Sequence, residues 1–171
     1  MIGEVATTMT LEQAQFLRDH SCQSFGSEAE TTKKVIGAMT AGQEAYKPSD
    51  RCMSAIDLAF HIASVDVWFL NSIADGAFVA PPAGGEKPKT ADEVLAYYDA
   101  NLPKALDRVK AMSPEKLAAP IDFFGMMQMP AAGLVDFALR HSIHHRGQLS
   151  SYLRPMGGKV PGIYGPSGDS K

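Results

Sequence analysis

The chain has 171 residues, of which 45% are apolar and 20% are charged, and its formal net charge is −3. A chain of this length fits one domain, 1–171, and can bury a substantial core without help from disulfides. The charge is mildly acidic and the sequence has no basic cluster, so we expect no nucleic-acid partner.

Two further features bear on where the protein works. The first ten residues lack a charged segment followed by an apolar one, and the apolar runs stop short of the ~20 residues of a membrane span. Cys22 and Cys52 do not have CxxC spacing, which argues against both a disulfide framework and a thiolate zinc site. We therefore expect a cytoplasmic protein with no membrane partner.

The first predicted helix covers residues 10–39. Thr10 and Gln13 have the spacing of a capping box, in which each side chain hydrogen-bonds the backbone of the other residue. The apolar face of this segment is weak, and Gly26 lies in a stretch that would allow a bend. We predict one long helix here.

The second predicted helix covers residues 55–74 and is strongly apolar. Ser54 and Asp57 repeat the N-cap pattern, and Gly76 supplies a stop. Because apolar side chains occur on most sides of this helix, we expect it to lie in the centre of the fold.

The third predicted helix covers residues 91–112 and has the most regular pattern. Thr90 and Glu93 form a clear capping box. Apolar side chains recur at steps of three and four, as in bundles: Leu95, Tyr98, Leu102, Ala105, Val109 and Met112.

The connection that follows is unusually apolar for a loop, with Ile121, Phe123, Phe124, Met126, Met127 and Met129. It must cover part of the molecule, either as a plug over one end of the bundle or as a wall of a pocket for an apolar substrate group. No strand pattern in the sequence is strong enough to predict a sheet.

The fourth predicted helix covers residues 130–153, with Pro130 in its first turn and Pro155 after its end. Four helices joined by turns and longer connections predict an all-α fold. The architecture is a four-helix bundle with a long apolar connection between the third and fourth helices.

A metal site is predicted on the fourth helix. His141 and His145 are four residues apart, so their imidazoles project from one helix face. This face ought to meet the core, because it continues through Leu134, Ala138, Gln148 and Tyr152. Buried polar side chains cost about 1–3 kcal/mol each unless something binds them. We therefore predict a bound divalent metal ion.

The third ligand is predicted on another helix. His61 lies in the middle of the second helix with apolar residues on both sides, where a lone histidine is more often a core residue than a ligand. A bundle that brings the second and fourth helices together would place His61 against His141 and His145. Three protein ligands leave coordination positions open, which is the pattern of catalytic rather than structural sites.

Three neighbours of these histidines have open roles. His144 has the spacing to pair with His141, but it lies off the stripe, so it is either beside the site or on the surface. Asp57, one turn before His61, could orient the imidazole or simply interact with the helix dipole. Gln148 could hydrogen-bond a bound ligand.

These residues resemble the DinB-like, or YfiT-like, family of metalloenzymes. The likeness rests on HSIHHRGQLSSYLRPMG at residues 141–157, on LAFHIASVDVWFL around His61 and on the closing KVPGIYGPSGD. The resemblance implies a four-helix bundle in which His61, His141 and His145 bind zinc or nickel, and it implies a homodimer. Members with established activities are thiol-dependent S-transferases and isomerases.

The leading functional hypothesis is a metal-dependent S-transferase that uses a low-molecular-weight thiol to attack an electrophilic small molecule. In this hypothesis Gln148, Tyr152 and Tyr164 orient the substrate. A hydrolase is the alternative enzyme, although no HExxH glutamate accompanies the histidines. A metal-stabilised dimeric binding protein is the non-enzymatic alternative.

Overall fold

The computed structural model describes residues 9–80 and 86–170. The chain forms, in order, α1 (Leu11–Gly37), α2 (Ala55–Asp75), α3 (Ala91–Lys110), α4 (Pro114–Ala118), β1 (Pro120–Phe123), β2 (Met127–Pro130) and α5 (Ala131–Leu153). The predicted all-α bundle is confirmed, since α1, α2, α3 and α5 end within two residues of the predicted positions.

Local sequence signals determine where the helices begin. The Thr10 hydroxyl accepts a hydrogen bond from the Gln13 N–H at 3.2 Å, and the Gln13 amide oxygen accepts from the Thr10 N–H at 2.9 Å. Ser54 and Thr90 cap α2 and α3 through their hydroxyls. Replacing such a cap with alanine costs about 1 kcal/mol. Helix α1 continues through Gly26 without interruption, so the sequence there does not break it.

The core lies around α2. This helix packs against α3 and α5, and α1 packs against the same two helices. Burying one large apolar side chain contributes about 1.5–3 kcal/mol. The fully buried ones come from several helices: Phe25, Ile36, Leu58, Ile62, Leu70, Ile73, Leu134, Leu149 and Leu153. Helix α2 supplies four of these nine side chains, so the prediction that it is a buried helix agrees with the structure.

The apolar composition of α2 has a second consequence. An 18-residue window within it has a mean hydropathy of 1.2, so its length and composition alone would allow a membrane span. Within the bundle, 56% of that window is buried. Packing against neighbouring helices accounts for the apolar character of α2.

The connection between α3 and α5 differs from the irregular segment predicted from the sequence. An irregular segment without a sheet was expected, but the chain forms α4 and then an antiparallel hairpin, in which Phe123 pairs with Met127 and Pro120 pairs with Pro130. Each strand has four residues, so the sequence contains too few repeats of the alternating pattern for it to stand out. Pro130, predicted within the first turn of the helix, instead precedes it as its N-cap residue.

The hairpin turn holds an aromatic residue in a conformation that usually requires glycine. Phe124 has φ +52° and Gly125 has φ +71°. The Met126 N–H donates to the Phe123 carbonyl at 3.0 Å, and the Gly125 N–H donates to the Asp122 carboxylate at 2.9 Å. A left-handed conformation costs a non-glycine residue about 1–2 kcal/mol. The turn therefore keeps Phe124 at some cost to stability.

Candidate metal centre

Three histidines from two helices meet between α2 and α5. The ring centroids of His61 and His141 are 5.2 Å apart, those of His61 and His145 are 4.6 Å apart, and those of His141 and His145 are 4.4 Å apart. One candidate ligand nitrogen from each ring lies within 4.8 Å of the other two. The structure thus brings together the three side chains that the sequence predicted as ligands. We call them the histidine cluster.

Helix geometry explains this arrangement. His141 and His145 are one turn apart on the face of α5 that meets α2. Phe69, two turns after His61 on α2, lies against His141 and against Phe137, which precedes His141 by one turn. The two helices therefore run in opposite directions, and a residue in the middle of α2 faces the middle of α5.

Burial favours the neutral, metal-binding form of His61 and His141. Desolvation, with a contribution from neighbouring histidines, lowers the pKa of His61 and lowers that of His141 to about 4. Metal coordination requires a neutral imidazole. In addition, His141 Nδ1 is buried and has no hydrogen-bond partner among the described residues, at a cost of about 1–3 kcal/mol. Three neutral imidazoles suit zinc, nickel, copper or iron, so the residues fit a divalent ion of this kind.

Gln148 contacts a member of the cluster directly. Its amide oxygen lies 3.0 Å from His145 Nδ1, and its amide nitrogen donates to the Tyr152 hydroxyl at 3.3 Å. An oxygen at this position accepts from a protonated Nδ1, which leaves the Nε2 lone pair of His145 free for a ligand role. Tyr152 is itself buried and packs edge-on against Tyr46. Gln148 and Tyr152 therefore hold the ring of His145.

His144 and Asp57 lie outside the cluster. His144 is exposed, and its ring contacts that of His145 at 4.9 Å. The Asp57 carboxylate accepts from the Ser54 hydroxyl at 2.6 Å and from Lys87 Nζ at 3.1 Å, and these contacts lower its pKa. Asp57 thus completes the start of α2, and the hydrogen bonds of the described residues do not join it to His61.

Tyr164 binds a different group. Arg146 Nη2 donates to the Tyr164 hydroxyl at 2.6 Å, and that hydroxyl donates to the Glu28 carboxylate at 2.9 Å. Arg146 also forms an ion pair with Glu28 and is only 1% exposed. These contacts attach the segment after α5 to α1 and α5. The hydrogen-bond partners of Tyr164 are therefore Arg146 and Glu28, and no hydrogen bond of the described residues joins Tyr164 to the histidine cluster.

A buried carboxyl group near the cluster was missed by the sequence analysis. Asp66, in the middle of α2, is fully buried, and its Oδ2 accepts from the Tyr98 hydroxyl at 2.5 Å and from the Ser142 hydroxyl at 2.8 Å. Burial raises the pKa of Asp66 to about 7. Its Oδ1 has no partner among the described residues. An aspartate in the centre of an apolar helix was the signal available in the sequence.

The fold and the site define a class of protein: a helical bundle with a three-histidine cluster between its second and its last long helix. The chain belongs to the DinB family, whose family model matches residues 9–170. The resemblance drawn from the sequence is thereby confirmed.

Two relatives and two solved structures are similar to this chain. YrdA of Bacillus subtilis, a protein described as uncharacterized, is 29% identical over 87% of this chain and 89% of its own length, and YjoA of the same organism is 28% identical over 80% and 92%. The crystal structure of YjoA, described as a DinB-like protein, has a TM-score of 0.71 over 86% of this chain and 99% of its own. A DinB-like protein of Bacillus cereus has a TM-score of 0.69 over 85% and 97%. Both structures are 24% identical to this chain and therefore support the fold alone.

Proposed function

We propose that this protein is a metal-dependent S-transferase that joins a low-molecular-weight thiol, through its sulfur, to an electrophilic small molecule. The observation that carries the proposal is the convergence of His61, His141 and His145 within 4.8 Å. These residues would hold one divalent ion, zinc or nickel. Such an ion lowers the pKa of a thiol bound to it, so that thiolate is available near neutral pH.

The remaining residues of the site have positioning roles in this proposal. Gln148 holds the ring of His145, and Tyr152 holds Gln148. In the transfer itself the thiol proton passes to solvent and sulfur forms the new bond to carbon. The leaving group departs with the electron pair of the bond that breaks.

The chemistry of the cluster favours a transferase over a hydrolase. Hydrolysis at a metal site uses a general base, often a carboxylate close to the ligands. In the part of the chain that the structure describes, no carboxylate oxygen groups with the three imidazoles at ligand distance, and the Asp66 carboxyl group is fully buried and bound to the Tyr98 and Ser142 hydroxyls. A thiol that has already lost its proton needs no such base.

Metal content is the first test. We expect about one zinc or nickel ion per chain after loading and dialysis, and we expect His141→Ala combined with His145→Ala to remove it. His20→Ala is the matched control, because His20 is exposed on α1 and its ring stacks on Phe16, away from the histidine cluster. Unchanged metal content in the double variant would eliminate the site.

Activity is the second test. Metal-loaded protein is incubated with a haloaromatic compound or an epoxide and with each of a panel of small thiols. We expect turnover that requires both metal and thiol. Turnover without any thiol would contradict the transferase, and a loaded site without turnover of any electrophile would favour the binding protein.

The proposal extends to a homodimer, which the family resemblance implies, and to the cytoplasmic location expected from the sequence. Light scattering after size exclusion should then give twice the chain mass of 18.3 kDa. A monomer at micromolar concentration would contradict this part of the proposal.

A further inference from the structure

A group of aromatic rings extends from the histidine cluster to the surface. It consists of Trp68, Phe69, Phe78, Phe123, Phe124 and Phe137, and we call it the aromatic end. These residues come from α2, the segment after α2, the hairpin and α5. Each ring lies 4.9–6.3 Å from at least one other, within the range in which aromatic pairs attract one another.

The aromatic end is continuous with the histidine cluster. The ring centroid of Phe69 lies 5.8 Å from that of His141. Phe69 is buried and stacks on Phe123 at 5.5 Å, and Phe123 contacts Phe124 at 5.3 Å. Ring contacts therefore lead without interruption from a predicted metal ligand to the hairpin turn.

The outer part of the aromatic end is accessible. Phe124 is 48% exposed and stacks on Trp68 at 6.3 Å, while Trp68 and Phe123 are half-buried. Val79, whose carbonyl accepts from the Trp68 indole at 2.9 Å, and Met126 in the turn are also exposed. Exposed apolar side chains clustered beside a site mark a binding surface more often than scattered ones do.

Backbone strain supports the same conclusion. Phe124 has φ +52°, which glycine or asparagine would adopt at lower cost. A structural plug could be built with either residue in the turn. The chain instead places a large ring there, in contact with Trp68.

We propose that the aromatic end binds the aryl group of the small molecule whose polar group reaches the histidine cluster. The inference rests on the proposed function and adds its substrate class: flat aromatic compounds that carry a metal-binding or reactive group. A small molecule is favoured over a protein partner because the exposed rings continue inward to a ligand side chain.

The test compares two probes that share one metal-binding group. Benzohydroxamate carries a phenyl ring and acetohydroxamate a methyl group, and both are titrated into zinc-loaded protein by calorimetry. We expect benzohydroxamate to bind about tenfold more tightly, because only its ring reaches the aromatic end. Trp68, the single tryptophan of the chain, supplies a second readout. Its emission should change with benzohydroxamate and stay constant with acetohydroxamate.

One substitution separates a binding role from a structural one. Phe124→Asn removes the ring and suits a positive φ, so we expect thermal stability to stay constant or rise while the preference for benzohydroxamate falls about threefold or more. Phe16→Asn is the control, since Phe16 is also an exposed phenylalanine, at 73% against 48% for Phe124, and lies on α1 away from the aromatic end. Loss of stability in Phe124→Asn with an unchanged preference would assign the ring to structure and overturn the inference.

The same titrations in metal-free protein keep the two proposals apart. Affinities that do not depend on zinc would contradict the proposed function. Equal affinities of the two probes, with constant Trp68 emission in both forms of the protein, would overturn the inference.

Discussion

The interface of α2 and α5 contains two polar groups that satisfy their atoms in different ways. The Asp66 carboxyl group is fully buried and binds two hydroxyls, from Tyr98 and Ser142. The histidine cluster is only half-buried, and its members His61 and His141 make no side-chain hydrogen bond among the described residues. Asp66 is therefore satisfied within the fold at Oδ2, and its Oδ1 has no partner among the described residues. Several imidazoles that converge with unpaired ring nitrogens indicate a ligand instead.

Burial shifts the two groups in opposite directions. It raises the pKa of Asp66 to about 7 and lowers that of His141 to about 4, so both are uncharged over part of the acidic range. The stabilities that they contribute therefore have opposite pH dependence. Substitutions in each group therefore separate their contributions.

Removing one predicted ligand should abolish the response to metal that the proposed function implies. Zinc at a thousand times its dissociation constant stabilises a folded protein by about 4 kcal/mol. We expect zinc to raise the melting temperature of the wild type and to leave that of His61→Ala unchanged. Thermal melts of both proteins with and without zinc measure this difference. Asp66→Asn should keep the full stabilisation by zinc. Loss of that stabilisation in Asp66→Asn would show that Asp66 and the histidine cluster act together.

Asp66→Asn should stabilise the metal-free protein at high pH. In the wild type the folded pKa of about 7 exceeds the ordinary value of 3.8, so stability is lost as pH rises from about 4 to 7. Asparagine cannot ionise, and its advantage should grow over that interval to roughly 4 kcal/mol at most. Urea unfolding at pH 5 and pH 8 measures the difference. If Asp66→Asn changed the free energy of unfolding equally at pH 5 and pH 8, the raised pKa of Asp66 would be contradicted.

The same variant exposes the pH dependence of the histidines. A folded pKa of about 4 for His141, below the ordinary 6.5, means that stability is lost as pH falls from about 6.5 to 4. In metal-free Asp66→Asn the opposing contribution is gone, so unfolding free energy should rise with pH across this interval. An unfolding free energy that did not change with pH in this variant would contradict the lowered pKa of His141.

Gln148→Ala should weaken the metal site without removing it. Groups that orient a metal ligand change metal affinity by about 10- to 100-fold. We expect a decrease of about tenfold in zinc affinity, measured by competition with a chelator, and partial recovery in Gln148→Glu. Ser151→Ala is a suitable control, because its hydroxyl bonds only the Gln148 carbonyl. Equal losses in the two alanine variants would contradict a specific role for the Gln148 side chain.

Tyr164→Phe should have the smallest effect. It removes the hydroxyl that joins Arg146 to Glu28, and the direct ion pair between those residues remains. We expect a loss of about 1 kcal/mol in the free energy of unfolding with unchanged zinc affinity. Reduced zinc affinity would return Tyr164 to the site, as the sequence analysis had predicted.

The parts predictable from sequence are those with local signals. The capping box at Thr10 and the N-cap at Thr90 mark helix starts, although Glu93 accepts from the Lys89 N–H rather than from the Thr90 N–H that a complete capping box requires. The four-residue spacing of His141 and His145 placed both on one face. Predicting His61 as the third ligand depended on the expected bundle, which brings α2 against α5, and on the family resemblance. The partners of Asp66 lie 32 and 76 residues away, so no local pattern could name them.

The hairpin and the pairing of Arg146 were missed for related reasons. Strands of four residues leave too short a pattern to recognise, and the turn uses Phe124 where glycine or asparagine would have given a signal. Arg146 pairs with Glu28, 118 residues away. Such contacts follow from the completed fold rather than from any window of sequence.

The ion pair of Arg146 and Glu28 also constrains the order in which the molecule can assemble during translation. Helix α1 is synthesised before the other helices of the bundle, yet it packs against α5, whose residues follow more than ninety positions later. Until α5 is made, α1 can pack only against α3 and α4, and the Glu28 carboxylate lacks its Arg146 partner. Completion of the bundle therefore waits for α5, as expected for a topology with contacts between distant helices.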